Sequence, residues 1–194
     1  DTAMTQRPSD QTFQQYLTFV VAGEEYAIRI LAVREILTYG DITAVPKAPA
    51  WMRGVINVRG SVVPVVDLAM KLGFEATAPA SVTRIIIVEA IVAGEMTTIG
   101  LIAAAVNQVI DLSASDIEPP PSLGTHIDTT NLIGVARTGG AKFVLLLDID
   151  AVLTRIEASN VAEAAEGTEA ESLDANGAGH VEREEAETAA AGTV

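Results

Sequence analysis

The feature that most restricts how this chain can fold is an internal echo. The stretch GVINVRGSVVPVVDL at residues 54–68 returns as GVARTGGAKFVLLLDI at 134–149. Each copy opens on Gly-Val, turns, and ends in an acid after an apolar run. Two further echoes keep the same order: AGE at 22–24 and 93–95, and VREIL at 33–37 against VNQVI at 106–110. The spacing drifts from 71 to 80 residues, which marks a degenerate duplication rather than a repeat array. Two similar units of roughly 60 to 70 residues follow, each too thin to be comfortable alone. Packing them together buries more apolar surface, and closing each sheet into a barrel removes exposed edges.

The local pattern agrees with strands. QYLTFVV and EYAIRIL flank AGE, and Tyr26, Ile28 and Ile30 alternate with Ala27 and Arg29, as a hairpin requires. TRIIIVEAIVAGEMTTIGLI repeats that arrangement. Valine, isoleucine and alanine carry the hydrophobic content, since aromatic residues make up only 4% of the chain, and β-branched residues suit strands. Helix is expected only as a turn opened by Pro49 and closed by Gly54, another near 67–73, and DIDAVLTRIEA at 148–158. The fold class is thus all-β with minor helix. A polar arm covers 1–12 and a single domain spans 13–156. Its first unit covers about 20–80, with an exchanged edge strand allowed, and its second about 81–150.

Residues 157–194 read differently. They hold ten acids against the single base Arg183, in an Ala/Glu/Gly-rich run with almost no large apolar side chain. Such a segment cannot bury enough surface to offset its ordering entropy, so a disordered tail is expected. The tail carries most of the net charge of −14. That acidity opposes nucleic-acid binding, and scarce aromatics oppose the base stacking of an oligonucleotide-binding barrel. No apolar run reaches the roughly 18 to 20 residues of a membrane helix, so direct membrane insertion is not expected and the chain reads as cytoplasmic.

Catalytic chemistry finds little to use. Cysteine is absent, which removes disulfides, thiolate ligands and thiol nucleophiles. Only His126 and His180 exist, neither with metal-ligand spacing, and no phosphate-cradling or nucleophile-elbow motif occurs. No cofactor or metal is expected. The one enzyme reading pairs Asp67 and Asp148, the matching acids of the two halves, as carboxylates sharing a proton in an acid–base hydrolase. Against it, each is followed by Leu or Ile, which suits a strand-end acid capping the next turn. Trp51, beside Pro49 and Met52, suits a plug over a barrel end. Glu35 interrupts an apolar run as either a solvated strand face or a contact. Arg59 stands at the tip of the first turn, where the second copy has the uncharged TGG of 138–140. Glycine suffices to turn the chain, so an arginine in one copy alone is either a solvated side chain or an acquired contact.

The runs FVVAGEEYAIRILAVREIL, PAWMRGVINVRGSVVPVVDL and IGLIAAAVNQVI together resemble the CheW family of chemotaxis coupling proteins. The Asn-Val-Arg-Gly turn followed by PVVDL is specific in combination, and the resemblance covers 13–156. It implies two SH3-like five-stranded β-barrels side by side and no catalysis. It implies a scaffold that joins the histidine kinase CheA, through its regulatory domain, to the cytoplasmic tip of chemoreceptors, the tip lying in a groove between the barrels. Carried over by position, Arg59 is the family's turn arginine and Glu35 the acid of its V-x-E-I strand. Val33 and Gly54 match neighbouring positions tied to partner binding, and Val109 an apolar position of the second barrel. The chain departs from the pattern at Ala104 and Gln108, where members commonly carry acids, which puts the second barrel's share of the interface in question.

Overall fold

The computed structural model describes residues 12–120, 129–139 and 142–154. The expected N-terminal arm (all but its last residue), both histidines and the acidic tail lie outside them. Among the described residues, eleven strands form two sheets. In chain order they are β1 (Gln14–Val21), β2 (Glu24–Arg29), β3 (Val33–Thr38), β4 (Met52–Val58), β5 (Ser61–Asp67), β6 (Arg84–Val92), β7 (Glu95–Ala103), β8 (Ala105–Leu112), β9 (Ile117–Glu118), β10 (Leu132–Arg137) and β11 (Phe143–Leu147). A short helix, α1 (Leu68–Lys71), follows β5, and residues 149–154 are helical after β11.

One sheet runs β8-β1-β2-β11-β10-β9 and the other β3-β6-β7-β5-β4. Aligned strand for strand, the first five of each list match: β8 with β3, β1 with β6, β2 with β7, β11 with β5, and β10 with β4. The duplication is therefore real in three dimensions, but the halves do not fold separately. Hairpin β1–β2 of the first half sits between β8 and β11 of the second, and hairpin β6–β7 of the second sits between β3 and β5 of the first. A division near residue 80 is not a division between sheets. The expectation of one unit per half fails because similar hairpins fit either sheet, and sequence similarity carries no record of which sheet each joins.

The bulges repeat as well. Irregular register falls between Met52 and Gly54 on β4 and between Leu132 and Gly134 on β10. It falls again between Val33 and Glu35 on β3, and on β8 opposite the Leu17–Phe19 step of β1. At the β8 bulge the buried Thr18 hydroxyl bonds to Gln108, accepting from its N–H at 3.2 Å and donating to its carbonyl at 3.1 Å. Bulges bend and twist a strand, which a small closed sheet requires.

Closure uses the chain that follows each edge strand. After β3, Thr43 exchanges two backbone hydrogen bonds with Val55 of β4, at 2.8 and 2.9 Å. After β8, β9 pairs with β10 through Ile117 and Glu118. Both closures press against a glycine. Gly54 has φ of +141°, and a Cβ there would run into the Thr43 carbonyl. At Gly134 a Cβ would lie 2.7 Å from the Glu118 carbonyl oxygen. Gly54 therefore lies inside a strand; the turn that Pro49 opens ends at Met52, whose N–H donates to the Pro49 carbonyl at 2.9 Å.

Alternation sorts the side chains into three cores. Tyr16, Ala27, Leu112, Ala136, Val144 and Leu146 fill one barrel. Ile56, Val63, Val65, Ile85, Ile87 and Ile102 fill the other. The opposite faces of the exchanged hairpins, with Leu17, Phe19, Tyr26 and Ile28 from one and Ile86, Val88, Ile99 and Leu101 from the other, form the largest cluster between the sheets. Both faces of these strands are buried, which is why RIIIVEA reads as an almost unbroken apolar run. Trp51 is half-buried against this central core, with the Lys71 ammonium 3.9 Å from its ring centroid.

Replacing Gly54 or Gly134 with alanine should lower stability by about 2 kcal/mol each, because at both sites a backbone carbonyl stands among the opposing atoms and cannot step aside. Urea denaturation measures the loss; equal stability would mean closure tolerates a side chain. Tyr26 supplies a pH test. Its hydroxyl is buried without a partner among the described residues, and burial, reinforced by Glu24, raises its pKa. A raised phenol leaves stability intact below its ordinary value of about 10 and removes it as pH rises further. Tyr26→Phe should therefore match the parent at pH 7 or exceed it, and lose less stability between pH 10 and 12 in parallel melts.

Candidate functional site

The β4–β5 turn is a two-residue hairpin in which Val58 pairs with Ser61. Arg59 and Gly60 have φ of +52° and +88°, the left-handed pair of a type I′ turn. Ala22–Gly23 and Ala93–Gly94 adopt the same geometry in the β1–β2 and β6–β7 hairpins, so the strained backbone at Arg59 is a property of the turn and not of its side chain. Asn57 supports the turn by accepting from the Gly60 N–H at 2.8 Å.

Arg59 is 82% exposed at its side chain, yet it leans on Glu35 of β3. Its Nε lies 3.4 Å from one Glu35 carboxylate oxygen and a terminal nitrogen 3.5 Å from the other. Glu35 shares the strand parity of Leu37, which packs into the barrel interior, and sits beside the β3 bulge. Its carboxylate, 26% exposed, is thus carried to where the turn arginine can meet it. An exposed pair like this adds at most about 1 kcal/mol to stability. What it does is orient the guanidinium while leaving most of its donors free for an external acid.

Of the five residues singled out, the fold joins these two directly. Val33 is two positions from Glu35 on β3, half-buried against the central core and paired with Val88. Gly54 is buried and does its work in barrel closure, without presenting a side chain to a partner. Val109 is on β8 in the other sheet, 47% exposed. Its counterpart in the echo of VREIL and VNQVI is Ile36, 41% exposed. Ile36 of β3 and Val62, the latter 72% exposed shortly after the turn, are exposed apolar side chains that sequence reading passed over. Val62 belongs to a run whose other valines are buried, and only the pairing reveals the face it takes.

A groove of about 390 Å³ lies where the β1–β2 turn of one barrel meets the segment after α1 on the other. Ala22, Gly23, Ala69, Phe74 and Ala104 line it, with Glu75 the acid on its wall. The two acids of the paired-aspartate reading are each engaged by their own neighbours. Asp67 is fully buried and accepts from the N–H of Ala69 at 3.1 Å, the N–H of Thr77 at 2.8 Å and the Thr77 hydroxyl at 2.8 Å. Asp148 accepts from the Ala151 N–H at 3.1 Å. Each carboxylate is used as the cap of its own helical turn. Among the described residues, no group of three or more His, Asp or Glu is placed to hold a metal ion, and no helix is long and apolar enough to cross a membrane.

The structure thus joins two closed β-barrels through a shared core, with a cation-bearing turn on one of them and a groove lined largely by small apolar residues. The comparisons with known proteins give this fold its family. Residues 15–157 match the CheW-like domain, and the chain belongs to that family. It is 34% identical over 139 residues to the chemotaxis protein CheW of Rhizobium meliloti (strain 1021), covering 72% of this chain and 86% of that one. Against CheW of Bacillus subtilis (strain 168) it is 33% identical over 145 residues, 75% and 90% of the two chains. The crystal structure of the scaffolding protein TtCheW from Thermoanaerobacter tengcongensis superposes with a TM-score of 0.64 at 32% identity. That alignment covers 78% of this chain and 93% of TtCheW.

Asp67→Ala should cost about 2 to 3 kcal/mol, since it orphans buried donors, whereas Asp148→Ala should cost about 1 kcal/mol as an ordinary cap loss. Chemical denaturation of both variants checks the ranking; equal small losses would contradict the role given to Asp67.

Proposed function

We propose that this chain is a non-enzymatic adaptor that couples chemoreceptors to the histidine kinase CheA, acting in the cytoplasm at receptor arrays. Membership of the CheW-like family across nearly all of the folded part supports the reading. The observation that carries it furthest is the exposed Arg59, oriented by Glu35 at the tip of the β4–β5 turn. Arginine is among the residues enriched at contact hot spots. In this reading the regulatory domain of CheA meets the barrels through such a contact, with Val33 shaping β3 beneath it and Val109 marking the second barrel's contribution. The receptor's helical tip lies in the groove walled by Phe74, Glu75 and Ala104. Where relatives commonly carry an acid at the position of Ala104, Glu75 offers one on the same groove.

The mechanism is geometric. Holding kinase and receptor on one rigid body turns a bimolecular encounter into a local one and raises effective concentration. A receptor that prefers one arrangement of the assembly can then shift the kinase between its states.

Reconstitution with CheA and a receptor fragment tests the reading: kinase activity should change only when all three components are present. Arg59→Glu places like charges beside Glu35 and should weaken binding to at least one partner tenfold or more, about 1.4 kcal/mol. Its melting temperature should stay close to the parent's, since the turn is exposed. Unchanged affinity for both partners would remove Arg59 from the interface.

A further inference from the structure

Counting ladders by the half of the chain they come from exposes an unusual division. The hairpins β1–β2, β4–β5, β6–β7 and β10–β11, and the short β9–β10 pairing, are local. The remaining ladders, β1–β8, β2–β11, β3–β6 and β5–β7, all join residues before position 73 to residues after position 83. Within the first half, hairpin β1–β2 forms no ladder with β3, β4 or β5. Within the second, hairpin β6–β7 forms none with β8, β10 or β11. Each half alone is a set of hairpins, and an isolated two-stranded hairpin is marginal in water. The central core likewise draws on both halves, with Phe19 and Ile28 from one against Ile86 and Leu101 from the other.

The segment joining the halves, residues 73–83, is held in two separate parts. Thr77 is tied back to the first half, through Asp67 and through Arg53, which donates to its carbonyl at 3.4 Å. Ala80 is tied forward to Thr83, its N–H donating to the threonine hydroxyl at 2.9 Å and its carbonyl accepting from the Thr83 N–H at 3.1 Å. Between these ties Ala78 and Pro79 are exposed, and no tie crosses the bond that joins them.

We propose that the folded protein is a two-part complex that happens to be covalently joined, and that a second copy of this chain can donate either half. The halves are mutually templating: each supplies the central hairpin of the other's barrel, and the link at Ala78–Pro79 contributes effective concentration rather than structure. Two chains that meet while open exchange halves and close as a dimer of pseudo-monomers, with every ladder and both barrel closures retained.

Two experiments on the full chain decide this. In the first, a sequence-specific protease site is inserted between Ala78 and Pro79 and cut after folding. The cut protein should elute as a single species of the intact mass, keep its strand circular dichroism, and melt in one transition that depends on protein concentration. Separation into two species that each keep strand signal, loss of structure on cutting, or an inserted chain that cannot fold before cutting would each overturn the proposal. In the second, unlabelled and ¹⁵N-labelled wild-type chains are unfolded together in urea and refolded at high concentration. Native mass spectrometry should find dimers of mixed mass that persist on dilution and are lost only after a further cycle of unfolding. Refolding to monomers alone would overturn the exchange with a second copy.

Discussion

The exchange of the two central hairpins is the constraint on which the rest of this structure depends. A five-stranded sheet built from one half would leave β1–β2 at an edge or adrift, with one apolar face exposed. Passing each hairpin into the opposite sheet buries both of its faces: one inside a barrel, the other in the shared core between barrels. Two thin units thereby become one body with three continuous cores. The parallel pairings β2–β11 and β5–β7 are products of this exchange, because each joins strands that no hairpin could connect.

Closure then fixes where functional side chains can stand. Because Thr43 returns to Val55, β3 and the β4–β5 turn are wrapped around the same barrel. That is how Glu35, 24 positions earlier in the chain, comes within 3.4 Å of Arg59. The Arg59–Glu35 pair is therefore held by strands of one closed sheet. Gly54 belongs to the same logic: a position that partner binding would depend on, without touching a partner, if the strand it relieves carries the turn.

Much of this was legible in the residues, and the limits have physical causes. The echo of GVINVRGSVVPVVDL announced duplication, AGE marked two type I′ turns, and the strand-end acids were readable as caps. Register within each hairpin follows from alternation, which is local. Which sheet a hairpin joins is decided by long-range packing, and two similar hairpins are close to interchangeable on pattern alone. Gly54 misled as a helix stop because a glycine that ends a helix and one that admits a crossing backbone look identical in sequence. Ile36 and Val62 escaped notice because a run such as SVVPVVD is apolar on both faces, so periodicity cannot say which valines face solvent.

Duplication with exchange also suggests why the two turns diverged. The first copy kept a tight two-residue turn whose tip is Arg59, and the second became the longer RTGGAK connection. The first turn's tip is exposed, so folding does not hold Arg59 to its identity. Glu35 and its counterpart Gln108 differ in the same sense. Glu35 meets an arginine, whereas the Gln108 backbone is occupied by Thr18 at the bulge. The fold demanded the bulge in both copies but the charge in neither. An asymmetric charge on a symmetric scaffold is what remains when packing has been accounted for, and the role proposed for the first copy's turn rests on it.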